Sequence, residues 1–481
     1  MTMSIYLYNT LKREKEPFVP KESGKVRMYV CGPTVYDSCH IGHARSVVVF
    51  DVIARYFRSQ GFEVTYVRNF TDIDDKIIQR AAMLGVDPKD LAEKYIREFH
   101  QDMDALKVDR ATVEPKATDH IPQIIRVIRL LMEKGYAYAA DGDIFFSVTA
   151  FSGYGKLSGR KLEDMEAGAR VDVDARKHDP FDFVLWKSAK PGEPFWESPW
   201  GTGRPGWHIE CTAMSSEYLG QTFDIHGGGK DLVFPHHENE IAQSEAAFGQ
   251  PFVNYWVHNG FVNINQEKMS KSLGNFLLIR DLLKEYHPEA LRLFLLSSHY
   301  RSPIDFTPQH MEEAGAGLDK LYTLLERTQT VLGTDDFEIK TESGDHWARF
   351  CEAMDNDFNT ALGIGVLFEA ARQINRLMDE ATAAVGNDFQ QQLMRQLRDI
   401  RKIGAVLGIL TESPKDYFEG RQARLQEKKQ VDVATVDALV AERTEARKSK
   451  DWARADAIRR KLEAMNVLLE DRPEGTAWKI R

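Results

Sequence analysis

His40-Ile41-Gly42-His43 and Lys268-Met269-Ser270-Lys271-Ser272 are the two stretches whose residue types and spacing suit a nucleoside triphosphate. In the first, two imidazoles three apart stand where a turn passes into a helix, the end whose N–H groups attract phosphate. Gly42 removes a side chain between them and lets a bulky anion reach the backbone. Each imidazole can donate to oxygens that gain charge during displacement. Read alone, the pair is equally well a set of surface or capping histidines. The second stretch carries two cations three apart on a loop punctuated by Ser and Gly. Ammonium groups there can neutralise phosphates during in-line attack at the α-phosphorus with loss of pyrophosphate. Read alone, a Lys-Ser loop is more often a solvated turn.

Thiols form a second group. The chain has four cysteines, Cys31, Cys39, Cys211 and Cys351, with no C-x-x-C pair, too sparse for a disulfide scaffold and better suited to reduced thiols or metal ligands. Cys31 ends a strand, Cys211 follows His208-Ile209-Glu210, and His236 and Glu240 are four apart, a spacing that puts both on one helix face. Two thiolates, an imidazole and a carboxylate can ligate zinc. Spacing alone favours two ordinary buried cysteines and a polar helix.

The elements that must position these groups are legible from periodicity. Val26 to Cys31 and Glu63 to Val67 read as strands around a helix from Ala44 to Gln60 closed by Gly61, in which Val47, Phe50, Ala54 and Phe57 face a sheet. Such β-α-β order implies a parallel, Rossmann-like doubly wound α/β fold, although no G-x-G-x-x-G follows the first strand. A helix from Ile121 to Lys134 opens an insertion with strands at Ile144 to Val148 and Phe181 to Trp186. Sheet sequence resumes at Thr222 to His226 before a turn at Gly227-Gly228-Gly229. Leu318, Leu321 and Leu325, then Leu393, Leu397 and Ile400, mark a helical bundle. Thr411 to Gln430 reads as a polar linker. A small α+β unit follows, with two helices and a hairpin from Val467 to Ile480. The expected divisions are 1–120 and 201–260 for the two sheet halves, 121–200 for the insertion, 261–307 around the lysine loop, 308–410 for the bundle and 411–481 for linker and terminal unit.

Composition narrows the partners. With 481 residues, 43% hydrophobic and 28% charged, the chain can build several cores. No signal peptide and no long apolar span is evident, which predicts a cytoplasmic protein without a membrane. A net charge of -10 argues against general coating of nucleic acid. Residues 421–481 nevertheless hold 15 Lys and Arg against 11 Asp and Glu. Arg443, Arg447, Lys448, Lys450 and Arg454 gather near Trp452, a mixture that suits phosphate and an unstacked base. Ala455, Ile458, Leu462 and Met465 recur at helical spacing there, so a solvated face of a packed helix fits as well.

The two nucleotide motifs, in this order on two halves of a split sheet, resemble the class I aminoacyl-tRNA synthetases, whose HIGH and KMSKS motifs occur here letter for letter. Tyr29-Val30-Cys31-Gly32-Pro33-Thr34-Val35-Tyr36-Asp37, Thr71-Asp72-Ile73-Asp74-Asp75-Lys76, Gly206-Trp207-His208-Ile209-Glu210-Cys211 and His226-Gly227-Gly228-Gly229-Lys230-Asp231-Leu232 extend the likeness. On these the chain is similar to the cysteinyl-tRNA synthetase family over essentially its whole length. That resemblance implies ligation of L-cysteine to its cognate tRNA through an adenylate, with ATP as substrate and Mg2+ as its counter-ion. It implies one Zn2+ per chain, held by Cys31, Cys211, His236 and Glu240 and receiving the substrate thiolate.

By the same resemblance, His40, His43, Lys268 and Lys271 act in catalysis, and Gly42, Asp231 and Lys271 hold ATP. Thr71, Trp207 and His226 line the amino-acid pocket, and Arg447, Trp452, Asp456 and Asp471 read the anticodon. Region 261–307 becomes a stem-contact region and the terminal unit an anticodon-binding domain. A monomer without an editing domain is expected, since a zinc–thiolate contact rejects serine without a second check. Two alternatives remain at this level: a ligase joining cysteine to an amino sugar, and an inactive RNA-binding paralogue. A persulfide-forming side activity, expected of lysines near Lys76, meets Gln79 where a second lysine belongs.

Overall fold

The computed structural model describes residues 4–160, 174–268, 276–333, 344–380, 387–429, 433–449, 451–465, 467–472 and 475–480. At its centre four parallel strands run in the order Val253–Asn259, Phe223–Gly229, Lys25–Val30, Glu63–Arg68. The first strand of each half therefore lies beside the other, with Tyr29 opposite His226 and Val30 opposite Gly227. The two connections leave in opposite directions, and in such sheets ligands bind in the crevice beyond the carboxyl ends at that point. Cys31 and Gly229 mark those ends.

The helix Ile41–Ser59 crosses the sheet, and Val47, Phe50, Ala54 and Phe57 are buried as their spacing requires. Gly61, at φ +87°, returns the chain to the next strand. The triple glycine departs from expectation, because it continues the strand to Gly229 instead of forming a turn. A Cβ at Gly227 would lie 2.3 Å from the Phe50 ring, so the bare backbone lets helix and strand end approach closely.

The insertion opens with the helix Ile121–Glu133 and builds an antiparallel sheet from Ala137–Ala140, Asp143–Phe146, Phe183–Ser188 and Gly203–Pro205. Its core of Ile124, Ile128, Phe146, Leu185 and Trp186 continues into Ile209 and Ala242, which ties the insertion to the helices of the second sheet half. Beyond it, Pro308–Leu332, Asp345–Asp355, Thr360–Glu380 and Asn387–Leu407 form the bundle, with all six of its marker residues fully buried.

The stretch expected as a linker contains the helix Pro414–Lys429. Polar composition concealed one anchor: buried Tyr417 stacks on Tyr322 at 3.8 Å and its hydroxyl donates to Asp319 at 2.7 Å. The terminal unit has helices Val433–Lys448 and Trp452–Ala464 with the hairpin Val467–Arg472 and Gly475–Ile480, around Val436, Leu439, Ile458, Leu462 and Val467. Among the described residues, no helix is long and apolar enough to cross a membrane.

Candidate active site and metal centre

Cys31, Cys211, His236 and Glu240, scattered over 210 residues of sequence, meet where the two sheet halves join. Cys31 leaves the end of the strand Lys25–Val30, Cys211 lies on the helix Trp207–Leu219, and Glu240 is in the first turn of Glu238–Phe248. His236 lies in the irregular turn Val233–His237 ahead of that helix, so the four-residue spacing joins a turn to a helix instead of one continuous face. Sγ of Cys31 is 3.7 Å from Sγ of Cys211, 3.4 Å from Nε2 of His236 and 3.4 Å from Oε1 of Glu240, and His236 Nε2 is 3.0 Å from that oxygen. Metal–ligand bonds of roughly 2.0–2.3 Å give a tetrahedron edges of about 3.3–3.8 Å. The three separations from Cys31 fall in that range, the His236–Glu240 one is shorter, and the donor set is one zinc favours. The residues fit such an ion.

Cys31, His226, His237 and Glu240 also bring four ligand atoms together. That set has one thiol against two in the first; within it His226 Nε2 lies 2.8 Å from Oε2 of Glu240, and His237 Nδ1 is bonded outside it, 2.8 Å from His258 Nε2. They read better as supports that orient the ligands. His208 does the same for His236, with Nδ1 to Nδ1 at 2.9 Å, while Trp207 stacks on the His236 ring at 4.3 Å.

Charge follows this packing. Burial raises the Cys31 thiol well above its usual range, whereas Cys211, despite burial, is brought down to about 6 by hydrogen bonds with Cys31 and His236. Burial also works against the Glu240 carboxylate, but the imidazoles of His226 and His236 outweigh it and hold the group ionised. Burial keeps His208 neutral, so it can accept from Nδ1–H of His236. Cys211 and Glu240 are thus set as anions, whereas Cys31 keeps its proton and His236, raised to about 10 by Glu240 against its own burial, is protonated, so binding of a metal would release protons from this cluster.

At the other end of the crevice, His40 caps the helix Ile41–Ser59. Its Nδ1 accepts from Gly42 N at 3.1 Å, and Nδ1 of His43 accepts from His40 N at 3.4 Å. Both rings thus carry their proton on Nε2. They stack at 3.7 Å, and burial followed by the neighbouring His40 lowers the His43 pKa and keeps it neutral. The backbone just beyond the lysine loop is stitched to this turn: Ile41 N donates to Leu277 O at 2.9 Å, Ile279 N to Cys39 O at 3.0 Å, and Phe276 packs 5.0 Å from the His40 ring. Lys268 ends the strand Glu267–Lys268, paired to Asn263. Met269 to Asn275, including Lys271, lie outside the described residues.

A crevice of about 390 Å³ joins the two ends, lined by Cys31 and Trp207 at one and by His40, Gly42, His43 and Asp231 at the other. Thr71 and His226 do not line it. Thr71 is buried and donates to Glu210 at 2.9 Å, and His226 stands behind Glu240. His208 and Tyr36 stand in the sequence only as members of longer family stretches with no role of their own, although His208 lies three residues before Cys211 on one helix face; Asn259, which lines the crevice with Tyr36, has no motif to mark it.

In the terminal unit, Trp452 is 59% exposed at the start of its helix, Asp456 is exposed one turn later, and Arg447 is exposed near the end of the preceding helix. Asp471 stands in the hairpin opposite Thr476, and its side chain is outside what is described, as is Lys450. Arg443 is instead buried within the unit, and Arg454 pairs with Glu442 at 2.7 Å.

Residues 17–316 match the family described as tRNA synthetases class I (C) catalytic domain, 349–411 the DALR domain, and 420–478 the cysteinyl-tRNA ligase anticodon binding domain. Proteins named cysteine–tRNA ligase from Trichlorobacter lovleyi and Geobacter metallireducens are 54% and 55% identical, with all of each chain covered. The fold is shared with Mycobacterium tuberculosis methionyl-tRNA synthetase in complex with methionyl-adenylate, at TM-score 0.59 and 16% identity over 82% of this chain and 92% of that one. A putative arginyl-tRNA synthetase from Campylobacter jejuni follows at TM-score 0.54 and 14% identity, over 82% and 95%. The catalytic-domain match spans well over half of the sequence and the relatives align from end to end, so this chain belongs to the cysteinyl-tRNA synthetase family of class I aminoacyl-tRNA synthetases.

Proposed function

We propose that this chain ligates L-cysteine to its cognate tRNA in two steps within the crevice just described. The observation that carries the reading is one cavity, about 390 Å³, with a thiol-rich ligand cluster at one end and a histidine-capped helix N-terminus at the other. A cysteine and an ATP placed there bring the carboxylate against the α-phosphorus. Carboxylate attack releases pyrophosphate and leaves cysteinyl adenylate; the terminal ribose hydroxyl of the tRNA then attacks the acyl carbon and releases AMP.

Nε2–H of His40 and of His43 donates to phosphate oxygens that gain charge, at a helix end whose dipole adds to the effect. Lys268 and Lys271 supply cations to the leaving pyrophosphate, with Mg2+ accompanying ATP. Asp231, in the lining beside Gly229, accepts from the ribose. Cys31, Cys211, His236 and Glu240 would hold one zinc ion, which supplies a soft acceptor that distinguishes a thiolate from a hydroxyl. Trp207 closes the cysteine end over His236, and Thr71 and His226 act from behind the wall through Glu210 and Glu240. The exposed Trp452, with Arg447, Asp456 and Asp471, reads the anticodon.

Cysteine-dependent exchange between ATP and pyrophosphate, with serine as control and charging of cysteine tRNA as the second stage, tests the proposal. Exchange with cysteine alone followed by charging is expected. Exchange without charging would favour a ligase with another acceptor.

A further inference from the structure

The two turns that hold the nucleotide end of the crevice share one brace outside it. Oε2 of Glu98, on the helix Pro88–Ala105, accepts from Ser38 Oγ at 3.0 Å and from Arg280 Nη2 at 2.6 Å. Ser38 lies two residues before His40. Arg280 directly follows Ile279, whose N–H donates to Cys39 O. A single carboxylate oxygen therefore ties the histidine turn to the chain emerging from the lysine loop. Its helix is fixed by the buried Leu91, Tyr95, Ile96 and Phe99, and Phe99 itself lines the crevice.

We infer that Glu98 is a positioning residue for the nucleotide, holding the His40 turn and the Phe276–Ile279 segment in one register. Charge decides why an acid is needed here. The Arg280 contact is charge-assisted and stronger than a neutral hydrogen bond, and the next acid, Asp102, is 3.9 Å from Arg280, too far to replace it. The cysteine end is held by other elements, Cys31 on the sheet, the helix Trp207–Leu219 and the turn Val233–His237, and none of these bonds to Glu98 in the structure. Loosening the brace should consequently disturb ATP and spare cysteine.

This inference rests on the adenylate-forming reading. Its test uses the full chain in cysteine-dependent ATP–pyrophosphate exchange, with wild type, Glu98→Gln, Glu98→Ala, Arg280→Ala and the Glu98→Ala/Arg280→Ala pair, and with thermal unfolding measured alongside. Glu98→Ala is expected to raise the KM for ATP roughly 5- to 30-fold while the KM for cysteine stays within about two-fold. Glu98→Gln, which keeps an acceptor for Ser38 but loses the charge, should fall between. The pair should be no worse than the worse single variant, since each single variant already breaks the Glu98–Arg280 contact. An unchanged KM for ATP, an equal rise for cysteine, or losses that multiply in the pair would overturn the inference. Should Glu98→Ala fail to fold, Glu98→Gln and Arg280→Ala decide on the same readout. Wild-type protein without exchange would overturn the adenylate reading itself, a result distinct from normal exchange with an insensitive KM.

Discussion

Asp51, three turns into the helix that His40 caps, forms a buried ion pair with Arg292 of the helix Pro288–Leu296. Arg292 also donates to the carbonyls of Leu106 at 3.1 Å and Lys107 at 3.2 Å, and to Leu407 at the end of the bundle. One guanidinium thus joins the catalytic unit to the bundle. Gly408, at φ +69°, makes room for it, since a Cβ there would lie 2.3 Å from Cζ.

Removing one partner of such a pair leaves a buried charge and typically costs about 3–5 kcal/mol. Arg292→Met should fall at the lower end, because Arg55 still pairs with Asp51 at 3.0 Å. Urea unfolding reads this directly, and a loss below about 1 kcal/mol would show that the junction contributes little.

The ligand cluster predicts a graded response in metal content. Cys211→Ser should abolish stoichiometric zinc in elemental analysis, since the hydroxyl is a poor substitute for a thiolate. His208→Ala removes no ligand, only the acceptor for His236, and should weaken zinc by about 10- to 100-fold in competition with a chelator. Full zinc retention in both proteins would exclude the cluster as the metal centre.

Loss of a single preorganised donor costs roughly 10²–10³ in kcat. His43→Ala should show this in the exchange reaction, and His43→Asn, with an amide N–H, should recover part of it. His40→Ala carries a second cost, because His40 is also the helix cap, worth about 1 kcal/mol of stability. His43 is the other half of the capping box, its Nδ1 accepting from His40 N at 3.4 Å, so both variants should lower Tm, with the larger drop in His40→Ala.

Asp102 supplies a pH test of stability. Burial raises its pKa from 3.8 to about 6, with Arg280 opposing and Glu98 adding to the rise. The folded protein therefore holds a proton that the unfolded chain has released between about pH 4 and 6, so stability falls as pH rises through that window. Asp102→Asn removes the penalty. It should be more stable than wild type by on the order of 1–2 kcal/mol at pH 8, with the advantage gone near pH 4. Equal pH profiles in urea unfolding would refute this.

Much of this architecture is legible because it is written in local periodicity. Phe50 and Phe57 announce a buried helix face, and Leu393, Leu397 and Ile400 a bundle seam, without reference to the rest of the chain. Short motifs expose His40 and His43 in the same way. What stays hidden is whatever depends on two distant segments meeting. Nothing around Tyr417 says that a polar helix will dock through a stack on Tyr322 and a hydrogen bond to Asp319. Likewise Gly227 looks like a turn residue until Phe50 is seen against it. The four candidate ligand residues are grouped in the sequence only by family resemblance; their spacing gives no compact pair, and the sheet junction brings them together. Glu98 carries no motif at all.

Trp452 offers the most separable prediction, because its ring is largely exposed while the small core of its unit is made by Val436, Leu439, Ile458, Leu462 and Val467. Truncation to alanine removes no core contact, so thermal unfolding should be unaltered. A base stacked on an aromatic ring is worth about 1–3 kcal/mol. Trp452→Ala should therefore raise the KM for cysteine tRNA by roughly 5- to 150-fold relative to the tRNA-independent exchange rate. Arg447, exposed near the end of the preceding helix, would contribute chiefly through phosphate, so Arg447→Gln should reduce the salt dependence of charging while Trp452→Ala leaves that slope intact. Equal salt slopes for the two variants would remove the distinction between a stacking and an ionic contact on this face.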